Sequence, residues 1–363
     1  MAQNSNLHTA KKNKSDEFYT QLSDIEKELM HYRDYLKGKK VFLNCDDPKE
    51  SNFWRYFSLN FDFLGLEKLT STHYDADHPT YRLDMYKDKT GKIQTVQTDL
   101  QQNGDFRSPE AIDVLKESDV VVTNPPFSLF REYVEQLMEY QKDFIILGTV
   151  NAVTYKDFFS YIQKNKIWTG ALFNKVFEFQ VPEHYPLNGS RTRIDDEGNK
   201  FISVPGIAWY TNIDMSKRHE DLILWKEYKE EDYPKYDNYD AINVNKVKDI
   251  PMDYDGAIGV PITFLDKHNP NQFEILGLTN GRNDFEIGPS KIYENAIQVN
   301  KDKSTTSGSK ANTRATLLLE KEPNDIYYTA DNASGPLKIV YARILIKKKE
   351  ETDGDTTESN QSE

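Results

Sequence analysis

Asp119-Val-Val-Val-Thr123-Asn-Pro-Pro-Phe127 is the stretch on which the reading of this chain turns. Three consecutive valines without polar alternation predict a strand buried on both faces, as at the centre of a parallel sheet. Asn124-Pro125-Pro126-Phe127 follows at once, and a helical pattern begins at Phe130. Ligands of open α/β sheets bind beyond the carboxyl ends of the strands, so the tetrapeptide stands where chemistry is expected. A Pro-Pro turn that merely closes a strand is the alternative. The aromatic fourth position, with the strand before and the helix after, favours function.

The residue types suit methylation of an aromatic exocyclic amine. Such an amine is a poor nucleophile because its lone pair is delocalised into the ring. Two acceptors gripping its hydrogens bias the nitrogen toward a tetrahedral shape. Asn124 offers a side-chain carbonyl, Pro125 a backbone carbonyl held rigidly by the two proline rings, and Phe127 a face for stacking on a base. Fixed carbonyl dipoles also stabilise the positive charge that develops on nitrogen.

Working outward, Leu22, Ile25, Leu29, Tyr32 and Leu36 fall at helical spacing, with Gly38 as a stop. Strands are expected over Lys40–Asn44, Lys68–Tyr74, Ile93–Thr98, Asp143–Val150, Lys175–Val181 and Phe201–Asn212. Helices are expected over Ser51–Leu66, Pro109–Lys116 and Phe130–Tyr140. The alternation predicts an α/β fold with an open, mostly parallel sheet. Beyond about Lys217, short apolar pieces (Ala257–Leu265, Phe273–Leu278, Leu337–Ile346) lie between Gly and Pro. They predict a second, smaller α+β or β-rich unit, with a mobile loop over Lys301–Ser309 and a disordered acidic tail over 347–363.

Asn-Pro-Pro-Phe resembles the signature of S-adenosylmethionine-dependent amino methyltransferases acting on adenine in DNA. The strand Val41–Leu43 runs into Asn44-Cys45-Asp46-Asp47-Pro48 without the usual Gly-rich turn. That element is similar to the EcoRI-type adenine-specific DNA methyltransferase family, and the likeness covers most of residues 15–346. It includes Gly259–Phe264, Gln272–Glu274 and Tyr341–Ile346. The resemblance implies a Rossmann-like S-adenosylmethionine-dependent methyltransferase sheet over 1–215 and a target-recognition domain over 216–346.

The resemblance also implies site roles. Phe18, Tyr19 and Thr20 would wrap the methionine end of the cofactor. Asn44, Cys45, Asp46 and Asp47 would line its loop, with either Asp on the ribose hydroxyls or the amine. Asp105 would accept from the cofactor's amino group, and Phe106 would stack on its adenine. Phe177 and Phe179 would pack on the extruded target base. An N-capping role is the alternative for the paired aspartates, and a solvated loop, with both arginines paired to Asp195 and Asp196, is the alternative for Arg191 and Arg193 as DNA contacts. Cys45 reads as a small lining residue, because a cytosine-carbon enzyme would use a catalytic Cys after Pro. His73 and His78 near Asp75 and Asp77 read as a solvated turn.

The chain has 363 residues, with hydrophobic residues at 37%, 22 Tyr, 19 Phe and a single cysteine, Cys45. Aromatics at this level exclude wholesale disorder. No run of about 18 apolar residues or secretory signal is present, and no His/Cys spacing suits a metal. A cytoplasmic protein is expected. The net charge of −13 argues against nucleic acid, but Glu350–Glu363 alone holds six acids and no base. What DNA requires is one basic face, and double-stranded DNA is the expected partner, with the target adenine flipped out. The chain is expected to be a monomer, with any restriction endonuclease on a separate chain. Methylation of another amine (RNA adenine, cytosine's 4-amino group, a protein glutamine), or a non-catalytic DNA-binding relative, are the rival readings.

Overall fold

The computed structural model describes residues 19–349, apart from Pro182, His184, residues 186–190, residues 281–284 and Glu286. The chain divides into two compact units, Met1–Met215 and Ser216–Glu363.

The first unit is a mixed α/β structure on one eleven-stranded sheet. Its strands are β1 (Tyr19–Thr20), β2 (Lys40–Leu43), β3 (Lys68–Thr72), β4 (Tyr81–Lys87), β5 (Ile93–Asp99), β6 (Val120–Thr123), β7 (Asp143–Thr149), β8 (Trp168–Thr169), β9 (Lys175–Val181), β10 (Thr192–Ile194) and β11 (Lys200–Thr211). The order is β1-β9-β11-β7-β6-β2-β3-β4-β5, with β8 and β10 also pairing β11. Only β7, β6, β2 and β3 run parallel to their neighbours. The expectation of a mostly parallel sheet is therefore corrected: β4 and β5 form an antiparallel hairpin beside β3, and β11 lies antiparallel between β7 and β9.

Helices of eight residues or more are α1 (Leu22–Leu29), α2 (Asn52–Leu59), α3 (Pro109–Glu117), α4 (Phe130–Glu139) and α5 (Lys156–Gln163). The Ser51 hydroxyl caps α2 by accepting from the Phe53 N–H at 3.0 Å, and Ser108 caps α3 with Pro109 in its first turn. Valines 120–122 are wholly buried, as an unalternating central strand requires. The chain leaves β2 toward β3 on one side and returns to β6 on the other. The β2 and β6 carboxyl ends therefore flank a topological switch point, where open α/β sheets bind ligands.

The second unit is β-rich. One sheet orders β12 (Ile242–Asn243), β13 (Ile258–Pro261), β20 (Arg343–Lys348) and β14 (Phe273–Leu278); the other orders β16 (Thr305–Ser307), β15 (Ile297–Val299), β18 (Tyr327–Thr329), β19 (Leu337–Ile339) and β17 (Thr316–Leu318). Among the described residues it holds short 3₁₀ turns and no α-helix, so the α+β expectation is corrected. Its apolar runs are three to six residues long, too short to present a helical stripe. Leu337–Ile346 splits between the two sheets, and the segment expected to be mobile is the β15–β16 hairpin. The tail expectation from residue 347 also moves: Lys347 and Lys348 pair with Glu274 and Phe273 in β20. Residues 350–363 lie outside the described residues.

Candidate active site

Three loops meet around the switch point. The β2 exit carries Asn44–Asp47, the β6 exit carries Asn124–Phe127, and the segment before α3 carries Gly104–Arg107. Asp46 joins the first two. It is 8% exposed, and its carboxylate accepts from the Ser51 hydroxyl at 2.9 Å and from the Thr123 hydroxyl. Burial pushes its pKa up to about 7, against the pull of those hydrogen bonds. Its own carbonyl receives the Ser71 hydroxyl at 2.6 Å, which also reaches the Leu43 carbonyl at 3.2 Å. The loop is thereby tied to β3 as well.

Asp47 points elsewhere. It accepts from the Tyr81 hydroxyl and the Lys49 N–H, each at 3.0 Å, and lies 3.3 Å from His73 Nε2. His73 also stacks on Tyr81 with ring centroids 5.2 Å apart. The solvated-turn reading of His73 is corrected, while His78 does pair with Asp75 at 3.3 Å.

Asn44 is buried, and its side-chain carbonyl accepts from Tyr133, whose hydroxyl comes from α4. Its side-chain Nδ2 is buried with no hydrogen-bond partner among the described residues. Cys45 is half-buried, and burial together with the Asp46 charge pushes its thiol well above the ordinary range. A thiol so raised is a poor nucleophile, in keeping with a lining role.

Gly104 has φ +73°, and a Cβ there would stand 1.9 Å from the His73 carbonyl oxygen, so only glycine fits. The turn presents Asp105, whose carboxylate takes Arg107 Nε at 2.8 Å and Nη2 at 2.7 Å. Burial opposes ionisation there, and the hydrogen bonds and charge of Arg107 outweigh it, holding Asp105 below its usual range. Phe106 is buried with its ring 5.0 Å from that of Tyr133, edge to face, and the Arg107 guanidinium lies 5.1 Å from its ring centroid. A cavity of about 550 Å³ opens beside Asp105 and Arg107, lined also by His78, Gln102 and Ser108.

Asn124 is half-buried and Pro125 buried. Phe127 opens a short 3₁₀ turn and meets Phe179 edge to face at 6.5 Å. Phe177 and Phe179 are 2% and 0% exposed, stacked 6.1 Å apart in the core. Their expected role on the target base is corrected, because both occupy the inward positions of β9, and Phe179 supports Phe127 instead. Tyr19 and Thr20 pair with Gln180 and Phe179 of β9, and the Thr20 carbonyl accepts from Asn52 at 2.9 Å. Phe18 lies outside the described residues. Arg193 is held by both oxygens of Glu178, at 2.8 and 2.5 Å, over the Phe201 ring, rather than by Asp195 and Asp196. Arg191 is exposed.

Sequence reasoning missed Thr123, Ser51, Ser71 and Tyr133. Thr123 and Ser71 fall in expected strands, and Ser51 and Tyr133 in expected helices. Thr123 and Ser71 stand near the ends of strands beside the two loops, which was the available signal; Ser51 and Tyr133 belong to helices and carried none.

The model of the EcoRI adenine-specific methyltransferase family matches residues 6–349. The chain belongs to that family. It is 50% identical over 302 residues to the type II methyltransferase M.EcoRI of Escherichia coli, which spans 79% of this chain and 93% of that protein. Two mycoplasma type II methyltransferases are also similar. M.MgeORF184P of Mycoplasma genitalium is 40% identical over 276 residues, covering 74% of this chain and 85% of its own. M.MpnI of Mycoplasma pneumoniae is 42% identical over 274 residues, covering 74% and 84%. No solved structure matches the chain. Among the described residues of this family member, no helix is long and apolar enough to cross a membrane.

Proposed function

We propose that this member of the EcoRI family transfers a methyl group from S-adenosylmethionine to the 6-amino group of an adenine flipped out of double-stranded DNA. The observation that carries the reading is Asn124-Pro-Pro-Phe127 on the carboxyl end of β6, at the switch point and beside the Asn44–Asp47 loop. Family membership favours adenine over the rival amines and over a non-catalytic relative.

The residues present suit the cofactor. Asn44 has an orphaned buried amide nitrogen, and Asp105 keeps a partly open carboxylate beside an open surface depression. Tyr19, Thr20, Asn44, Asp47, Asp105 and Phe106 are proposed to hold it, and the bound cofactor supplies an electrophilic methyl group. The chain's own part is alignment and polarisation. The Asn124 side-chain carbonyl and the Pro125 carbonyl accept the amine's hydrogens, and Phe127 covers the base. Holding the amine in line with the methyl group lowers the barrier without an acid–base pair. The Rossmann-like assignment of the first unit rests on its parallel centre and switch point. The second unit is proposed to read the target sequence, and the chain to act as a monomer in the cytoplasm, with any endonuclease separate.

The test is sequencing with base-modification detection on DNA from cells free of their own adenine methylation that express the chain. Methylated adenine at one recurring sequence is expected. Unmodified DNA, or modification on cytosine, overturns the reading.

A further inference from the structure

Two adjacent aspartates close β2, and their carboxylates serve different neighbours. The Asp47 side chain is 23% exposed and faces His73 and Tyr81. Asp46 is buried, and its carboxylate takes the Ser51 and Thr123 hydroxyls. Both of its carboxylate oxygens, one each, are engaged by donors of the protein itself. A cofactor hydroxyl or ammonium would have to enter this buried position among the protein's own donors, whereas the Asp47 carboxylate is the more open of the two.

We propose that Asp46 is a positioning residue for methyl transfer rather than a cofactor ligand: by holding the hydroxyl of Thr123, the residue next to Asn124, it sets where the Asn124 side chain stands. The proposal rests on the methyltransferase reading and names a residue of that same site. The two strands it joins, β2 and β6, are hydrogen-bonded neighbours, so the clamp spans the shortest path between the cofactor loop and the acceptor motif. Ser71 fixes the Asp46 backbone to β3 from the other side. Asp46 is thus fixed at both ends, and Asn124 inherits that precision. Misplacement of a reacting group by about 1 Å can cost roughly 100-fold in rate, so a device that fixes Asn124 through its backbone has a direct kinetic consequence. Of the two aspartates, Asp47 is left as the one able to meet the cofactor.

The test compares Asp46→Asn, Thr123→Val and Thr123→Ser with wild type. S-adenosylmethionine affinity is measured by calorimetry, and single-turnover methylation is measured with cofactor and DNA saturating. Asp46→Asn and Thr123→Val are expected to lower the saturated rate roughly 5–150-fold while cofactor affinity stays within about twofold. Thr123→Ser, which keeps the hydroxyl, is expected to recover most of the loss. Thr123→Val removes one hydroxyl without changing shape, so the pair at 123 decides the matter even where Asp46→Asn folds poorly. An unchanged saturated rate in Thr123→Val, or a loss in Asp46→Asn that appears as weakened cofactor binding and vanishes at saturation, overturns the proposal. Wild-type protein that methylates no DNA overturns the function reading itself, whereas active wild type with an unimpaired Thr123→Val overturns the clamp alone.

Discussion

At the switch point of the first unit, Asp46 is buried and takes two protein hydroxyls. On the second unit, Trp225 is 61% exposed, and its neighbour Lys226 pairs with Asp249 at 2.9 Å beside a cavity of about 470 Å³. The first arrangement holds its polar groups where any shift leaves a buried donor unpaired. The second keeps aromatic and charged groups in water, where one side chain can change without unsettling its neighbours. Positioned chemistry needs the former, while the latter tolerates change. Substitutions at the switch point should therefore act on rate, and those farther out on binding or on nothing measurable.

The largest effect is expected from Asn124→Ala. It removes the acceptor proposed for the amine while leaving the Thr123 hydroxyl on Asp46 in place. Losing one preorganised dipole costs about 100–1,000-fold in other enzymes, and at least that loss in single-turnover methylation is expected, with melting temperature and cofactor affinity close to wild type. Near wild-type turnover would remove the switch point's claim to the chemistry.

A smaller effect is expected from Asp105→Ala, which sits between the two regimes, partly open yet held by Arg107. Its loss should weaken cofactor binding by roughly 5–150-fold, the cost of one buried hydrogen-bond partner, and spare DNA binding. Titration calorimetry checks this, and unchanged cofactor affinity would reduce Gly104–Arg107 to a surface turn.

The contrast was only half legible beforehand. The valine run, the Pro-Pro motif and helical spacing marked β6, α3 and α4 nearly to the residue, because a central strand and an amphipathic helix have strong periods. β4 was missed: Tyr81–Lys87 pairs β3 on one side and β5 on the other, a hairpin extension whose sequence resembles a polar loop. The strands of the second unit, most of them three residues long, carry too few positions to show any period. Within the site, the residues bearing a motif were legible and their supports were not. A hydroxyl such as Thr123 gains its role from a carboxylate 77 positions away, which no local pattern reports. The two phenylalanines of β9 were misplaced for the opposite reason, since an aromatic pair reads alike whether it faces a base or the core.

Burial raises the Asp46 pKa to about 7, above an unfolded value near 3.9. A raised acid favours the folded state in its protonated form. That contribution is complete below about pH 4 and is lost as pH rises through about 7. The melting temperature of Asp46→Asn relative to wild type is therefore expected to improve from pH 5 to pH 8, while its activity falls short at both. Ionised Asp46 accepts more donors, so the wild-type rate should rise over the same interval as stability declines. A difference in melting temperature that stays flat with pH would mean that Asp46 is ionised throughout.

The smallest effect is expected at the end of the chain, and its position is set by the second unit's sheet. Residues 350–363 contain no aromatic residue and no apolar periodicity, so their removal strips away no side chain suited to a core. Ending the chain after Lys349 should leave methylation and melting temperature unchanged. Ending it after Ile346 is different. It deletes the pairing of Lys347 and Lys348 with Glu274 and Phe273, and the bond from Lys349 N–H to the Gln272 carbonyl at 2.9 Å. Each backbone hydrogen bond contributes about 0.5–1.5 kcal/mol, so this shorter chain should melt measurably lower while its cofactor affinity holds. Equal melting temperatures for the two truncations would mean that the last rungs of β20 add nothing to the sheet. A loss already present after Lys349 would mean that the acidic segment supports the fold despite its composition.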